Sequence, residues 1–219
     1  MRSLFPFGSM AARYDQWYAT PDGQAHDRVQ KSDVRLFLGR AAGSQRLLDV
    51  GCGTGHWCLF FAEMGYQVTG IDVATEMIQA ARQHVPGGSF EVADAADLPF
   101  EDKTFDVVAA MAMLEFVPDP RAALREMARC AKPGGRLLIG TLNRHAPLNQ
   151  ERLATGRQPY ASARLFSPEP LRVMLAPLGR IRMVASTLDQ QASAAPSDEA
   201  TTASVGTLDG ALLVAEVRL

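Results

Sequence analysis

The sequence predicts an α/β fold: a doubly wound sheet of seven strands, mostly parallel with an antiparallel last strand, and helices on both faces. Short apolar segments alternate with segments of helical periodicity along most of the chain. A glycine-rich stretch, residues 51–55, directly follows the first apolar segment. The last two apolar segments have no helical segment between them. A chain of 219 residues is long enough to bury the core that such a sheet requires.

Seven apolar segments predict the strands. They span residues 46–50, 67–71, 89–92, 105–111, 136–141, 180–188 and 211–218. The first five alternate with helical segments, as parallel strands do. Strands six and seven are joined only by residues 190–207, which are rich in Ala, Ser, Thr and Asp and predict a flexible loop. We therefore expect these two strands to pair as an antiparallel hairpin.

Helices are predicted where apolar residues recur at positions i, i+3, i+4 and i+7. This spacing predicts one helix over residues 25–41 and another between strands four and five. Asp119 is a favourable N-cap for the second helix, and Pro120 suits its first turn. Residues 132–135, Lys-Pro-Gly-Gly, are expected to end it and to turn the chain into strand five.

The chain is expected to form a single domain over residues 1–219. Residues 1–24 are predicted to be an N-terminal arm that acts as a lid. Residues 142–166 are polar and weakly periodic, which indicates a second, inserted lid.

Composition excludes several classes of function. The net charge of −2 gives no electrostatic reason to expect binding to nucleic acid or to an anionic membrane. No apolar run approaches the roughly 20 residues of a membrane span. The apolar stretch at the start of the chain is too short, and too interrupted by Pro and Gly, for a signal peptide. The three cysteines form no CxxC pair, so we expect no metal site and a cytoplasmic location.

The glycine-rich stretch is the main functional signal. Gly51, Gly53 and Gly55 follow strand one, and Asp72 ends strand two, 21 positions after Gly51. Glycines let a ligand approach the backbone, and a carboxylate at this place suits the paired hydroxyls of a ribose. The dinucleotide fingerprint requires its third glycine where this chain has His56. The spacing therefore favours a holder for an amino-acid tail over a pyrophosphate cradle.

Four further blocks follow in a fixed order: residues 93–100, 105–108, 114–120 and 132–137. Together with the glycine-rich stretch, they resemble the class I S-adenosylmethionine-dependent methyltransferases. The resemblance is strongest to the broad branch that includes ubiquinone and menaquinone biosynthesis methyltransferases. It covers residues 45–142 closely and the two ends only loosely, and it implies a Rossmann-like sheet.

The resemblance implies S-adenosylmethionine as the cofactor and assigns it a set of contacts. The expected contacts are Tyr14, Asp49, Gly51, Gly53, Asp72, Val73, Met77, Asp94, Ala95 and Met111. Asp49 and the two glycines would hold the methionine part, and Asp72 would bind both ribose hydroxyls.

The remaining contacts have other implied roles. Val73 and Met77 would flank the adenine, Asp94 would accept from its amino group, and the Ala95 backbone would read a ring nitrogen. Met111 and its neighbours after strand four would line the methyl donor.

Tyr14, in the arm, is expected to face the sulfonium of the cofactor, because an aromatic face attracts a cation by ~0.5–2 kcal/mol. Trp17 is a weaker candidate for the same role.

Methyl transfer from a sulfonium is an in-line displacement, so a general base is needed only for a protonated oxygen or nitrogen. The candidate bases are Glu115, His145 and Tyr160, which follow strands four and five or lie in the inserted lid. We expect a small-molecule acceptor, because the lid is compact and no nucleic-acid-binding segment is evident.

Two other functions are compatible with parts of this pattern. A nicotinamide-dependent oxidoreductase is disfavoured by the glycine spacing and by the lack of a Tyr-xxx-Lys pair. A non-catalytic module that only binds S-adenosylmethionine is disfavoured because the glycine-rich stretch is intact.

Overall fold

The computed structural model describes residues 3–188 and 208–219, so the loop predicted over residues 190–207 lies outside the described residues. Within the described residues, seven strands form one sheet in the order β3-β2-β1-β4-β5-β7-β6. They are β1 Arg46–Val50, β2 Gln67–Asp72, β3 Ser89–Val92, β4 Phe105–Met111, β5 Ala131–Leu142, β6 Arg180–Ser186 and β7 Leu212–Arg218.

The strand directions confirm the predicted sheet. The pairs β1–β2, β1–β4, β2–β3 and β4–β5 are parallel, whereas β7 runs antiparallel to both β5 and β6. In β5 the prediction was wrong at the start, since the strand begins at Ala131 rather than at residue 136. Ala131 pairs with Phe105, and a register shift between Phe105 and Val107 accommodates the turn residues that follow Ala131.

Both helices with a predicted position are present, the first of them three to four residues earlier in the chain than predicted. The helices are α1 Ala11–Tyr14, α2 Pro21–Leu38, α3 His56–Glu63, α4 Thr75–His84, α5 Pro120–Cys130, α6 Pro147–Ala154 and α7 Pro168–Leu175. The α2 helix starts four residues earlier than predicted, because the Thr20 hydroxyl accepts from Gly23 N at 3.0 Å and caps it. The Asp119 carboxylate caps α5 as predicted, accepting from Ala122 N at 3.0 Å.

Alternate strand residues point to opposite faces of the sheet, so buried strands present apolar side chains on both faces. Helices cover each of these faces. Leu48 and Leu137 pack in a core that includes residues of α5 and α7. Their neighbours Leu47 and Leu138 pack in a second core with residues of α2 and α3. None of the helices within the described ranges combines the length and the apolar character needed to cross a membrane.

The sheet topology determines where a site can form. The strand order reverses between β1 and β4, and the connections that leave their carboxyl ends separate on either side of that point. The inserted segment after β5 contains α6 and a 3₁₀ turn, Tyr160–Ser162. It lies between β5 and α7 in the chain.

Candidate active site

A cavity of about 600 Å³ opens at the carboxyl ends of β1, β2 and β4, and we call it the glycine-loop cavity. Eight of the ten predicted cofactor contacts line it. They are Tyr14, Gly51, Gly53, Asp72, Val73, Met77, Asp94 and Ala95. The reversal of strand order between β1 and β4 therefore places most of the predicted contacts around one cavity.

The backbone of the glycine loop is tied to the end of β2. Gly51 N and Cys52 N donate to Ile71 O at 2.8 and 2.9 Å, and Gly53 N donates to Asp72 Oδ2 at 3.0 Å. Gly51 adopts a φ of 74°, and a Cβ at that position would lie 2.7 Å from Met113 Cβ. Glycine is required there both by the backbone conformation and by the close approach of the loop after β4.

Asp72 retains room for a diol. Its Oδ1 accepts from Ala74 N at 2.9 Å and its Oδ2 from Gly53 N. A carboxylate has about four lone-pair positions, so two backbone bonds leave acceptor capacity for two hydroxyls. Burial raises the pKa of Asp72, while the backbone donors at Ala74 and Gly53 lower it.

Asp49 lies buried under the glycine loop, outside the set of residues that line the cavity. Its Oδ2 accepts from Cys58 Sγ at 3.2 Å, and its Oδ1 has no partner within the described part of the chain. Burial raises the pKa of Asp49 to about 7; the Cys58 bond lowers it and the charge of Asp72 raises it. A cationic group above the loop would stabilise the ionised form of this carboxylate.

Met111 does not line the glycine-loop cavity. It is the last residue of β4, and its side chain lies in the core that includes residues of α2 and α3. Its neighbours Ala112 and Met113 line the cavity in its place. Met111 shares its side of β4 with Val107 and Ala109, whereas the strand ends there and Ala112 adopts a φ of 52°, which turns the chain toward the cavity.

The N-terminal arm closes one side of the cavity. A Cβ at Gly53 would lie 3.9 Å from Tyr14 Cε1, so the Tyr14 ring lies next to the glycine loop. Thr54 Oγ1 donates to Asp15 Oδ1 at 2.7 Å and joins the arm to that loop. Leu4 N donates to Phe116 O at 2.7 Å on the other side. Burial raises the pKa of Tyr14, so its phenol stays protonated.

A second cavity of about 1050 Å³, the arm cavity, adjoins the first. Phe7, Tyr14, Ala112 and Phe116 line both cavities. The arm cavity is enclosed by the N-terminal arm, α2 and the segment after β5. Seven aromatic side chains line it: Phe7, Tyr14, Trp17, Tyr18, Trp57, Phe116 and Tyr160.

Four side chains of the arm cavity form a continuous stack. The Trp17 ring stacks on His26 with 6.0 Å between centroids, and Arg152 Cζ lies 5.3 Å from the Trp17 centroid. Arg152 Cζ also lies 4.7 Å from the Tyr160 centroid. Burial lowers the pKa of His26, and the charge of Arg152 lowers it further against the opposing effect of Asp22. His26 is therefore a neutral imidazole near pH 7.

The three predicted candidate bases occupy different environments. Tyr160 lines the arm cavity. His145 is exposed and is absent from the described linings of both cavities. Glu115 is fully buried, and its Oε1 accepts from Leu142 N at the end of β5. Its Oε2 has no partner within the described residues, and burial raises its pKa to about 7. Glu115 lines neither cavity.

Sequence reasoning did not identify His26 or Arg152 as site residues. His26 lies on α2 one turn before Gln30, and both line the arm cavity. That i, i+4 pair was the available signal. Arg152 had no such signal, because Trp17 is distant in the chain and Tyr160, eight positions on, lies beyond the end of α6.

The chain is similar to known proteins in sequence and in structure. The profile of a family described as "Methyltransferase domain" matches residues 48–139. The ubiquinone biosynthesis O-methyltransferase of Xanthomonas oryzae pv. oryzae (strain PXO99A) is 47% identical over 122 residues, which cover 53% of this chain and 49% of that protein. The protein of the same name from Xanthomonas axonopodis pv. citri (strain 306) is 46% identical over 143 residues, 61% of this chain and 59% of that protein. The chain thus spans about half the length of the curated relatives it matches.

Two solved structures share the fold. One is a Thermotoga maritima SAM-dependent methyltransferase described as a possible histamine N-methyltransferase. It has a TM-score of 0.69 and 23% identity, and the match covers 97% of each chain. The other is an S-adenosylmethionine-dependent methyltransferase from Mesorhizobium loti, with a TM-score of 0.64 and 21% identity over 87% of this chain and 98% of that one.

Proposed function

We propose that this chain, whose residues 48–139 form a methyltransferase domain of the class I, S-adenosylmethionine-dependent type, transfers a methyl group to a small molecule held in the arm cavity. The observation that carries the proposal is the junction of the two cavities. Tyr14, Ala112 and Phe116 line both, so a donor in the glycine-loop cavity and an acceptor in the arm cavity would meet there.

The residues of the glycine-loop cavity fit the cofactor. Asp72 has acceptor capacity for the ribose, and the positive φ angles of Gly51 and Gly53 leave the loop open to close approach. The buried, partnerless Oδ1 of Asp49 supports a cationic amino group above the loop. Bound there, S-adenosylmethionine supplies a methyl carbon whose bond to sulfur breaks as the acceptor atom bonds to it, with the bonding pair passing to sulfur.

The chain itself contributes alignment and exclusion of water. Tyr14 lies beside the glycine loop with its phenol protonated, so it presents a neutral aromatic face to the sulfonium. Phe7 packs edge-on against Phe116 with 4.8 Å between centroids. These apolar groups leave little room for water at the junction.

We assign removal of the acceptor proton to His26. It lines the arm cavity and is neutral near pH 7, so it can take the proton that a hydroxyl acceptor loses. Tyr160 also lines the cavity, but its ring is engaged by the guanidinium of Arg152, 4.7 Å from the ring centroid. Glu115 and His145 lie outside the described lining of the arm cavity.

An oxygen acceptor is the proposed chemistry, because the curated relatives are named ubiquinone biosynthesis O-methyltransferases. We also propose that residues 1–219 act as one domain, with the arm and the segment after β5 as its lids. The free thiols of Cys52, Cys58 and Cys130 support a reducing, cytoplasmic location. We propose that the chain has no nucleic-acid partner.

Calorimetry and product analysis test the proposal together. S-adenosylhomocysteine should bind with micromolar affinity, and NADH should not compete with it. Incubation with S-adenosylmethionine and a set of hydroxylated aromatic acceptors should give a product heavier by one methylene, detected by mass spectrometry. Absence of heat with the folded protein would refute cofactor binding. Binding without any methylated product would favour the non-catalytic alternative.

A further inference from the structure

We propose that the acceptor is an aromatic molecule with an anionic group, and that Arg152 binds that group. This inference rests on the proposed function and specifies the acceptor of the same site. The shape of the arm cavity, its charge and the position of Arg152 support it.

The shape of the arm cavity suits a flat ring. The rings come from four parts of the chain, including the N-terminal arm and the segment after β5. Trp57 packs edge-on against Phe60 with 5.7 Å between the ring centroids, and this contact holds the plane of the Trp57 ring. Aromatic rings pack well against other rings in stacked or edge-on arrangements, whereas a flexible aliphatic acceptor gains no such preference.

The charge of the arm cavity is positive. Its lining contains the cationic side chains of Arg13 and Arg152 but no aspartate or glutamate among the described residues. Asp27 is engaged by His56 at 2.7 Å and Lys31 at 2.8 Å, and the exposed Asp22 lies outside the lining and affects His26 less than Arg152 does. No carboxylate lies within ion-pair distance of Arg13 or Arg152 in the ranges that the structure describes. A half-buried guanidinium without a counter-charge is best stabilised by an anion.

Arg152 is held in place by groups that leave its charge unsatisfied. Its Nη1 donates to Asn149 Oδ1 at 3.2 Å, and its guanidinium carbon lies over the rings of Trp17 and Tyr160 at 5.3 and 4.7 Å. Asn149 is itself buried and donates to Asn143 O at 2.9 Å and Ala211 O at 2.7 Å. A guanidinium has five N–H donors in one plane, so most remain for a ligand. This arrangement matches the two-point geometry with which arginine binds a carboxylate.

The proposal is tested with a matched pair of ligands, para-hydroxybenzoate and para-hydroxybenzamide, which differ in charge but hardly in shape. Each is titrated by calorimetry into protein saturated with S-adenosylhomocysteine. We expect the benzoate to bind at least tenfold more tightly than the benzamide. In Arg152→Met, which keeps a long apolar side chain against the two rings, the preference should disappear. The control is Arg157→Met, which replaces an exposed arginine outside the described lining of the arm cavity. This variant should keep the preference for the benzoate.

The outcomes separate this inference from the proposed function. Equal affinities for the two ligands, tighter binding of the benzamide, or no binding of either would overturn the anionic acceptor. The preference persisting in Arg152→Met, or in Arg152→Gln where the first variant does not fold, would overturn the role of Arg152. In each of these cases, S-adenosylhomocysteine binding and methylation of a neutral acceptor would leave the proposed function intact.

Discussion

The two cavities are built in different ways, although they share a wall. The glycine-loop cavity is defined mainly by backbone: strand ends, a loop with positive φ angles, and one carboxylate that accepts from two backbone N–H groups. The arm cavity is defined by side chains that meet from distant segments, such as Trp17, Arg152 and Leu212. Backbone constraints leave a fixed spacing in the sequence, whereas side chains that converge from afar leave none.

The contrast extends to the two buried carboxylates. Asp49 lies in strand β1 next to the glycine loop, so its position is set by that strand. Glu115 is held at the end of β5 by Leu142 N, a contact across 27 positions of the chain. Each has one oxygen without a partner in the described residues and a pKa raised to about 7 by burial. The same electrostatic state is therefore reached once by local and once by distant structure.

The largest expected effect is at Gly51. Gly51→Ala would introduce a Cβ that overlaps Met113 at a φ of 74°, whereas Gly87→Ala has a φ of 88° and no atom within 4 Å. The control reports only the backbone strain, about 1–2 kcal/mol. Gly51→Ala should lower the free energy of unfolding by about 1–3 kcal/mol more. Urea unfolding of both variants measures this, and equal losses would show that the close approach is unimportant.

Asp72 tests the cofactor side of the comparison. Asp72→Ala should weaken S-adenosylhomocysteine binding about a hundredfold, because hydrogen bonds to a charged group contribute roughly 1.5–3 kcal/mol. The matched variant is Glu91→Ala, an exposed acid on β3, which should bind as the wild type does. Calorimetry gives the affinities, and thermal unfolding checks that both variants are folded. An unchanged affinity for Asp72→Ala would refute the ribose assignment.

His26 and Tyr160 test the acceptor side. His26→Asn should lower kcat for a hydroxylated acceptor by at least about a hundredfold, the lower end of the range typical of a lost general base. Tyr160→Phe keeps the ring against Arg152 and should change kcat less than threefold. Steady-state kinetics at saturating cofactor provides both values. The opposite ranking would assign proton removal to Tyr160.

Glu115 lines neither cavity, and we expect it to affect stability rather than catalysis. Its pKa is raised from 4.5 to about 7 in the folded protein, so the folded state binds its proton more tightly than the unfolded state does. The resulting stabilisation is present at low pH and is lost as the pH rises from about 4.5 through about 7.

Glu115→Gln removes this titration. The loss of stability between pH 5 and pH 8 should shrink by about 1–2 kcal/mol, with a remainder from Asp49. Denaturant unfolding at several pH values measures the loss, and kcat should change less than threefold. A large fall in kcat with unchanged stability would instead support Glu115 as a base.

The fold was predictable in detail because its signals are local. The number and direction of the strands followed from alternating apolar and helical segments, and the Asp119 cap followed from residue type alone; the strand order came only from the structure. The early start of β5 was not predictable, since it depends on a register shift against Phe105. In the site, Met111 was expected at the donor, but strand alternation turns its side chain into the core.

The sequence by itself determined the strands, the helices between them and the glycine loop, because apolar periodicity and φ restrictions act along short stretches of chain. The contacts expected around the first cavity followed from the resemblance to a family. Only the tertiary structure decided that Arg152 lies between Trp17 and Tyr160, that Glu115 is buried against Leu142, and that His145 is exposed. These placements depend on packing between segments far apart in the chain. No spacing in the sequence encodes such packing directly.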